Sequence, residues 1–104
     1  MKTIVIYQTE EGREPFTEWI DSLTKPIRAK IMAYVLRLRA GGTKRNVKAL
    51  GDGVFEVRVH AGSGYRVYFG EVDNTIIVLL VGGDKGSQDR DIKKAKSFWR
   101  SYDA

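Results

Sequence analysis

Two arginines, a histidine and a tyrosine alternate with apolar residues through VFEVRVHAGSGYRVYFG, positions 54–70. In extended backbone, alternate side chains share a face. A hairpin that buries Phe55, Val57 and Val59 with Tyr65, Val67 and Phe69 therefore turns Arg58, His60, Arg66 and Tyr68 to the other surface. Guanidinium groups offer paired donors to phosphate oxygens. A histidine gains or loses its proton near neutral pH. The surface so built suits a phosphate-bearing ligand.

Register decides whether these groups meet. An even four-residue connection at Ala61–Gly64 pairs His60 with Tyr65 and sends Arg58 and Arg66 to opposite faces. Holding both apolar sets in one core therefore predicts an odd loop or a bulge, with Gly62 and Gly64 supplying the positive φ of such a turn.

The elements that must position the hairpin follow from periodicity. KTIVIY, residues 2–7, is a β-branched run and reads as a strand. Glu14 and Pro15 open a short helix with Phe16, Trp19, Ile20 and Leu23 on its apolar side. Thr24 and Pro26 start a second. There Ile27, Ile31, Tyr34, Val35 and Leu38 form one stripe, with Arg28, Lys30, Arg37 and Arg39 mainly outside it, and Gly41-Gly42 ends the helix. The two helices are expected to pack as an antiparallel hairpin.

TKRNVKALGDG reads as a basic loop, followed by strands at 54–60, 65–70 and 75–81 joined by short turns, an antiparallel meander. The last run, TIIVLLV, is apolar after Thr75 and is expected inside the sheet, covered on both sides. A final helix begins near Ser87 or Asp89 and packs through Ile92, Ala95, Trp99 and Tyr102, with Asp89 and Asp91 at its positive end. The expected architecture is α+β, β-α-α-β-β-β-α, a mainly antiparallel twisted sheet with helices gathered on one face. Trp19 and Trp99 are expected in the core.

At 104 residues and 42% hydrophobic content the chain fits one domain over 1–104. It has no cysteine, which removes disulfides, thiolate metal sites and cysteine nucleophiles and points to the cytoplasm. No stretch approaches the roughly 20 apolar residues of a membrane span. The net charge is +5 and unevenly spread: residues 25–69 carry ten basic residues against two acidic, after an acidic beginning. Such a basic middle predicts a polyanionic partner, nucleic acid rather than membrane. An ordinary solvated basic face is the competing reading.

GYRVYF, the preceding VFEVRV and the VGGDKGSQDRDIKKA segment together resemble the RelE/ParE toxin superfamily, in its HigB-like, phage Gp49-like branch of addiction-module killer proteins. The resemblance spans essentially the whole chain. It implies a RelE-like fold and the toxin of a type II toxin-antitoxin pair. Such toxins enter the ribosomal A site, cleave mRNA there without a metal or other cofactor, and are held inactive by a cognate antitoxin, typically a small helix-turn-helix protein. Carried onto this sequence, the cleaving positions are Arg58, Arg66 and Lys85, with Lys48 and His60 as neighbours. The chain departs from RelE, which carries a lysine where Glu56 stands.

RNA cleavage needs the 2′-hydroxyl deprotonated, the phosphorane charge stabilised and the 5′-oxygen protonated. Arg58 and Arg66 suit the second task, and Lys85 adds a point charge from a glycine-flanked loop. His60 is a candidate acid or base, against a reading as a solvated strand-end residue. Glu56 is a second candidate base, against a reading as a cross-strand ion-pair partner. Lys44, Arg45 and Lys48 are expected to grip RNA backbone, and Tyr68, more than Tyr65, to stack on a base.

GGDKG lacks the spacing of a nucleotide-binding loop, and helix N-terminal placement explains Asp89 and Asp91 without a metal. Two rival functions use the same pattern: a ParE-like inhibitor of DNA gyrase, which needs no convergence of Arg58, Arg66 and Lys85, and a plain RNA-binding module.

Overall fold

A computed structural model describes residues 1–42 and 44–103, with the side chain of Lys44 outside the description. The elements are β1 (Thr3–Ile6), α1 (Pro15–Asp21), α2 (Lys25–Arg39), β2 (Val47–Gly51), β3 (Val54–Val59), β4 (Tyr65–Val72), β5 (Ile76–Asp84) and α3 (Gln88–Asp103). Single 3₁₀ turns occupy Lys44–Asn46 and Lys85–Ser87. The strands form one mixed sheet in the order β1-β5-β4-β3-β2. β1 lies parallel to β5 and the other neighbours are antiparallel.

The helix starts follow the prolines: Pro15 and Pro26 sit in the first turns of α1 and α2, where a missing N–H has no intrahelical partner to lose. Gly41, at φ 88°, ends α2. Asp73 and Asn74, both at positive φ, make the tight turn between β4 and β5. β2 was not expected. VKALG lies inside the segment read as a basic loop, and it becomes a strand by pairing antiparallel with β3 at the sheet edge. Its apolar content is too low to announce it without that partner.

The helices occupy both faces of the sheet, not one. Phe16, Ile20, Ile31, Val35 and Leu38 of α1 and α2 join Val57, Val59, Val67, Phe69, Ile77 and Leu79 in one core. Ala95 and Trp99 of α3 join Tyr7, Val54, Tyr68, Val78, Leu80 and Val81 in a second. Burying both sets of residues of an apolar strand such as β5 requires cover on both sides. α1 leans on β5 and α2 on β3, each more than on the other, so the expected helical hairpin is two helices laid on a sheet. Trp99 is buried on Gly70, where a Cβ would lie 2.4 Å from the indole. Trp19 is half-buried at the edge of the first core.

The β3–β4 hairpin has the predicted register. His60–Gly64 is a five-residue connection, Val59 pairs with Tyr65, and Arg58 stands directly opposite Arg66. Gly62 and Gly64 take φ of 53° and 97°. A second irregularity went unread: between β4 and β5 the register shifts so that Tyr68 faces Val81 while Phe69 faces Leu79. The extra residue, Leu80, lets both Leu80 and Val81 enter the α3-side core. It also sets Gly83 beside Arg66.

Candidate functional site

Arg58, His60, Arg66 and Lys85 line a single open cleft of about 540 Å³ at the tip of the β3–β4 hairpin. Arg58 and Arg66 reach it as cross-strand partners, and Lys85 from the 3₁₀ turn after β5. Lys30 of α2 and Tyr65 line it too. Lys30 is the residue that reading the sequence missed as part of a site. Its position outside the apolar stripe of α2 was the only signal, and that signal fits any solvated lysine.

Like charges directly opposite on a sheet repel, yet the cleft carries two arginines in that relation. Only one of them has a counter-charge. Arg66 Nε lies 3.4 Å from Glu56 Oε2, within ion-pair range but not aligned as a hydrogen bond. Arg58 is exposed and has no carboxylate within ion-pair distance among the described residues. The Arg66 side chain is only 11% exposed. Its Nε is buried, and the residue lines the cleft.

His60 is exposed and held at two points. Its backbone N–H donates to Tyr34 Oη at 3.4 Å, and its ring Nε2 lies 3.2 Å from Asn46 Oδ1. A carbonyl oxygen at Nε2 favours the tautomer with the proton there, which leaves Nδ1 as the acceptor. Tyr34 is itself covered by the Arg37 guanidinium, 4.7 Å from the ring centroid.

The turn bearing Lys85 is fixed by its neighbours. Asp84 Oδ1 accepts the Ser87 backbone N–H at 3.1 Å, and Ser87 Oγ donates to Asp91 Oδ2. Asp91 is 5% exposed and lies against Gly83, where any Cβ would collide with its carboxylate. Glycine at 83 therefore allows α3 to start close to the sheet, beside Arg66.

Two expected site residues are buried away from the cleft surface. Glu56 is 1% exposed and turned to Arg66, so it is the ion-pair partner and not a base that reaches a 2′-hydroxyl. Tyr68 is 0% exposed beneath α3 and cannot stack on a base. Burial, then the charges of Glu56 and Asp91, raises its phenol well above the ordinary 10.0. Alternation placed Tyr68 on the right face but could not show that α3 covers that part of it. Half-exposed Tyr65 lines the cleft instead, although it belongs to the opposite side set of β4.

Arg45 and Lys48 are exposed but do not line the cleft. Lys48 stands across from Glu56 on edge strand β2, and Arg45 precedes Asn46. The side chain of Lys44 lies outside the described residues. No cluster of three or more His, Cys, Asp or Glu among the described residues is placed to hold a metal ion. No described helix is long and apolar enough to cross a membrane.

The same hairpin, the loop and most of the terminal helix fall within a family profile, "Phage derived protein Gp49-like (DUF891)", that matches residues 18–99. The chain belongs to this Gp49-like family. It is a family of RelE-like toxins, associated with toxin-antitoxin systems. An uncharacterised protein of Haemophilus influenzae is 43% identical over 82 residues, covering 78% of this chain and 82% of that protein. The family-profile match runs from within α1 to Trp99 and so includes every residue that lines the cleft.

Proposed function

We propose that this Gp49-like protein is a ribosome-dependent mRNA endoribonuclease of the RelE/HigB type, working in the cytoplasm without a metal and restrained by a small helix-turn-helix antitoxin. The observation that carries the reading is the convergence of Arg58, Arg66 and Lys85 with His60 on one open cleft. Two facing arginines, only one of them paired with a carboxylate, leave a positive site that a phosphate would neutralise. A gyrase inhibitor has no need of that convergence.

In the reaction the 2′-oxygen of the substrate attacks the adjacent phosphorus, and the bond to the 5′-oxygen breaks. The products are a 2′,3′-cyclic phosphate and a 5′-hydroxyl. Arg58 and the terminal nitrogens of Arg66 bind the non-bridging oxygens, whose charge grows in the transition state. Lys85 adds a third cation from its braced turn. His60, with Nδ1 free, takes the proton from the 2′-hydroxyl or returns one to the leaving oxygen. Tyr65 offers a ring face at the rim.

The test is expression of wild type and Arg58→Ala/Lys85→Ala, both exposed positions, with 5′ ends of cellular mRNA mapped. Wild type should produce new ends in phase with codons, and the variant should lose about 100-fold or more. Equal toxicity without new ends overturns the nuclease reading, and altered plasmid supercoiling favours gyrase in its place.

A further inference from the structure

The cleft does not end at Lys85. That residue also opens a shallow depression of about 320 Å³ running over Gly86, Ser87 and Gln88, past exposed Asp89, to Arg90. Arg90 in turn lines a larger groove of about 990 Å³ between α1 and α3, where Lys94 follows it one helical turn on. Three surface depressions are thus joined through shared cations.

Neither Arg90 nor Lys94 has a carboxylate within ion-pair distance among the described residues. The ion pair of α3 is on its other flank, where Lys96 meets Asp52 at 3.4 Å. Of the acids of the groove, a cation balances only Glu18, paired with Arg13 on the α1 rim, while Asp84 accepts from the Ser87 backbone N–H and Asp91, buried against Gly83, accepts from Ser87 Oγ. Glu11 stands exposed on the far side, and on the α3 wall the exposed charges that line the groove are Arg90 and Lys94. Half-buried Trp19 and Phe98 also line it.

We propose that a single RNA strand seated in the cleft continues over the Lys85 turn and along the α3 wall, with Arg90 and Lys94 binding successive phosphates. Four residues of helix span about 6 Å, close to the spacing of neighbouring phosphates in an extended strand. Trp19 and Phe98 offer ring surface for bases, the combination of cationic groove and aromatic platform that single strands favour. The surface rests on the RNA reading of the cleft and extends it to nucleotides flanking the scissile bond.

The test uses 2′-O-methyl RNA, which binds but cannot be cleaved, as a trinucleotide and a dodecanucleotide, followed by fluorescence anisotropy across a salt series. Wild type should bind the longer strand more tightly and with a steeper salt dependence. Arg90→Glu/Lys94→Glu should weaken the longer strand by about tenfold or more and leave the trinucleotide unchanged, while Arg90→Ala/Lys94→Ala should lower the salt slope by about 1.4. Arg39→Glu, far from the cleft on α2, is the charge control, and thermal melts confirm folding. If the longer strand weakens no more in the Arg90/Lys94 variants than in Arg39→Glu, the track is wrong. Cleavage that persists without length-dependent binding removes the track alone, whereas length-dependent binding without cleavage removes the nuclease reading alone.

Discussion

The two faces of the sheet are built differently. The α1–α2 face has an apolar core, Phe16, Ile31 and Leu79 meeting Val57, Val67 and Phe69 with no charged residue buried among them. The α3 face puts Glu56, Arg66, Tyr68 and Asp91 beside Val54 and Trp99. On it, Glu56 Oε1, Arg66 Nε and Tyr68 Oη are buried without a hydrogen bond. Unbonded polar atoms weaken a fold, and a buried ion pair adds little stability over apolar residues of the same size. Both faces bury an apolar core, and the first does so without a buried charge. The second spends part of its area holding one arginine at the edge of the cleft.

The largest expected effect comes from breaking the second face at its charge. Glu56→Ala strands Arg66 in a nearly closed site and should lower unfolding free energy by about 3–5 kcal/mol in denaturant titrations. On the first face Leu79→Ala should be comparable, about 2–5 kcal/mol, but through a cavity. Only the Glu56 loss should be repaired by also replacing Arg66. A Glu56→Ala loss under about 1 kcal/mol removes the contrast between the faces.

The contrast sharpens in the double change Glu56→Met/Arg66→Met. Removing both charges together should leave stability within about 1 kcal/mol of wild type or raise it, while mRNA cleavage is lost. A fold as weak as Glu56→Ala alone shows instead that the pair is structural.

The smallest effect is expected at Tyr68. Tyr68→Phe removes a buried hydroxyl that has no partner, so the change at neutral pH should stay within about 1 kcal/mol. The folded phenol titrates above its ordinary 10.0, so the folded state holds that proton where the unfolded chain releases it. The stability linked to Tyr68 is present below that value and is lost as pH climbs past it. Tyr68→Phe should accordingly gain on wild type in unfolding series carried above pH 10.0. A difference that stays flat with pH contradicts the buried, raised phenol.

Much of this was legible in the residues alone. The alternation through positions 54–70 together with one apolar core required an odd or bulged hairpin turn, and hence Arg58 and Arg66 on one face, because side-chain direction in a strand has a period of two. The prolines and glycines set the ends of α1 and α2 through their backbone limits. The continuous apolar run of β5 required cover on both sides, which already opposed helices gathered on one face. What the residues could not carry was which part of a face another element covers. α3 closes over Tyr68 and Glu56 but stops short of Arg58, so side chains of one register face different fates. The strand at Val47–Gly51 exists through its pairing with β3, and the shift at Leu80 that sets Gly83 beside Arg66 exists through the fit of β5 to β4. Periodicity is local and was written in the sequence. Coverage and pairing join residues far apart along the chain, and only the tertiary structure decided them.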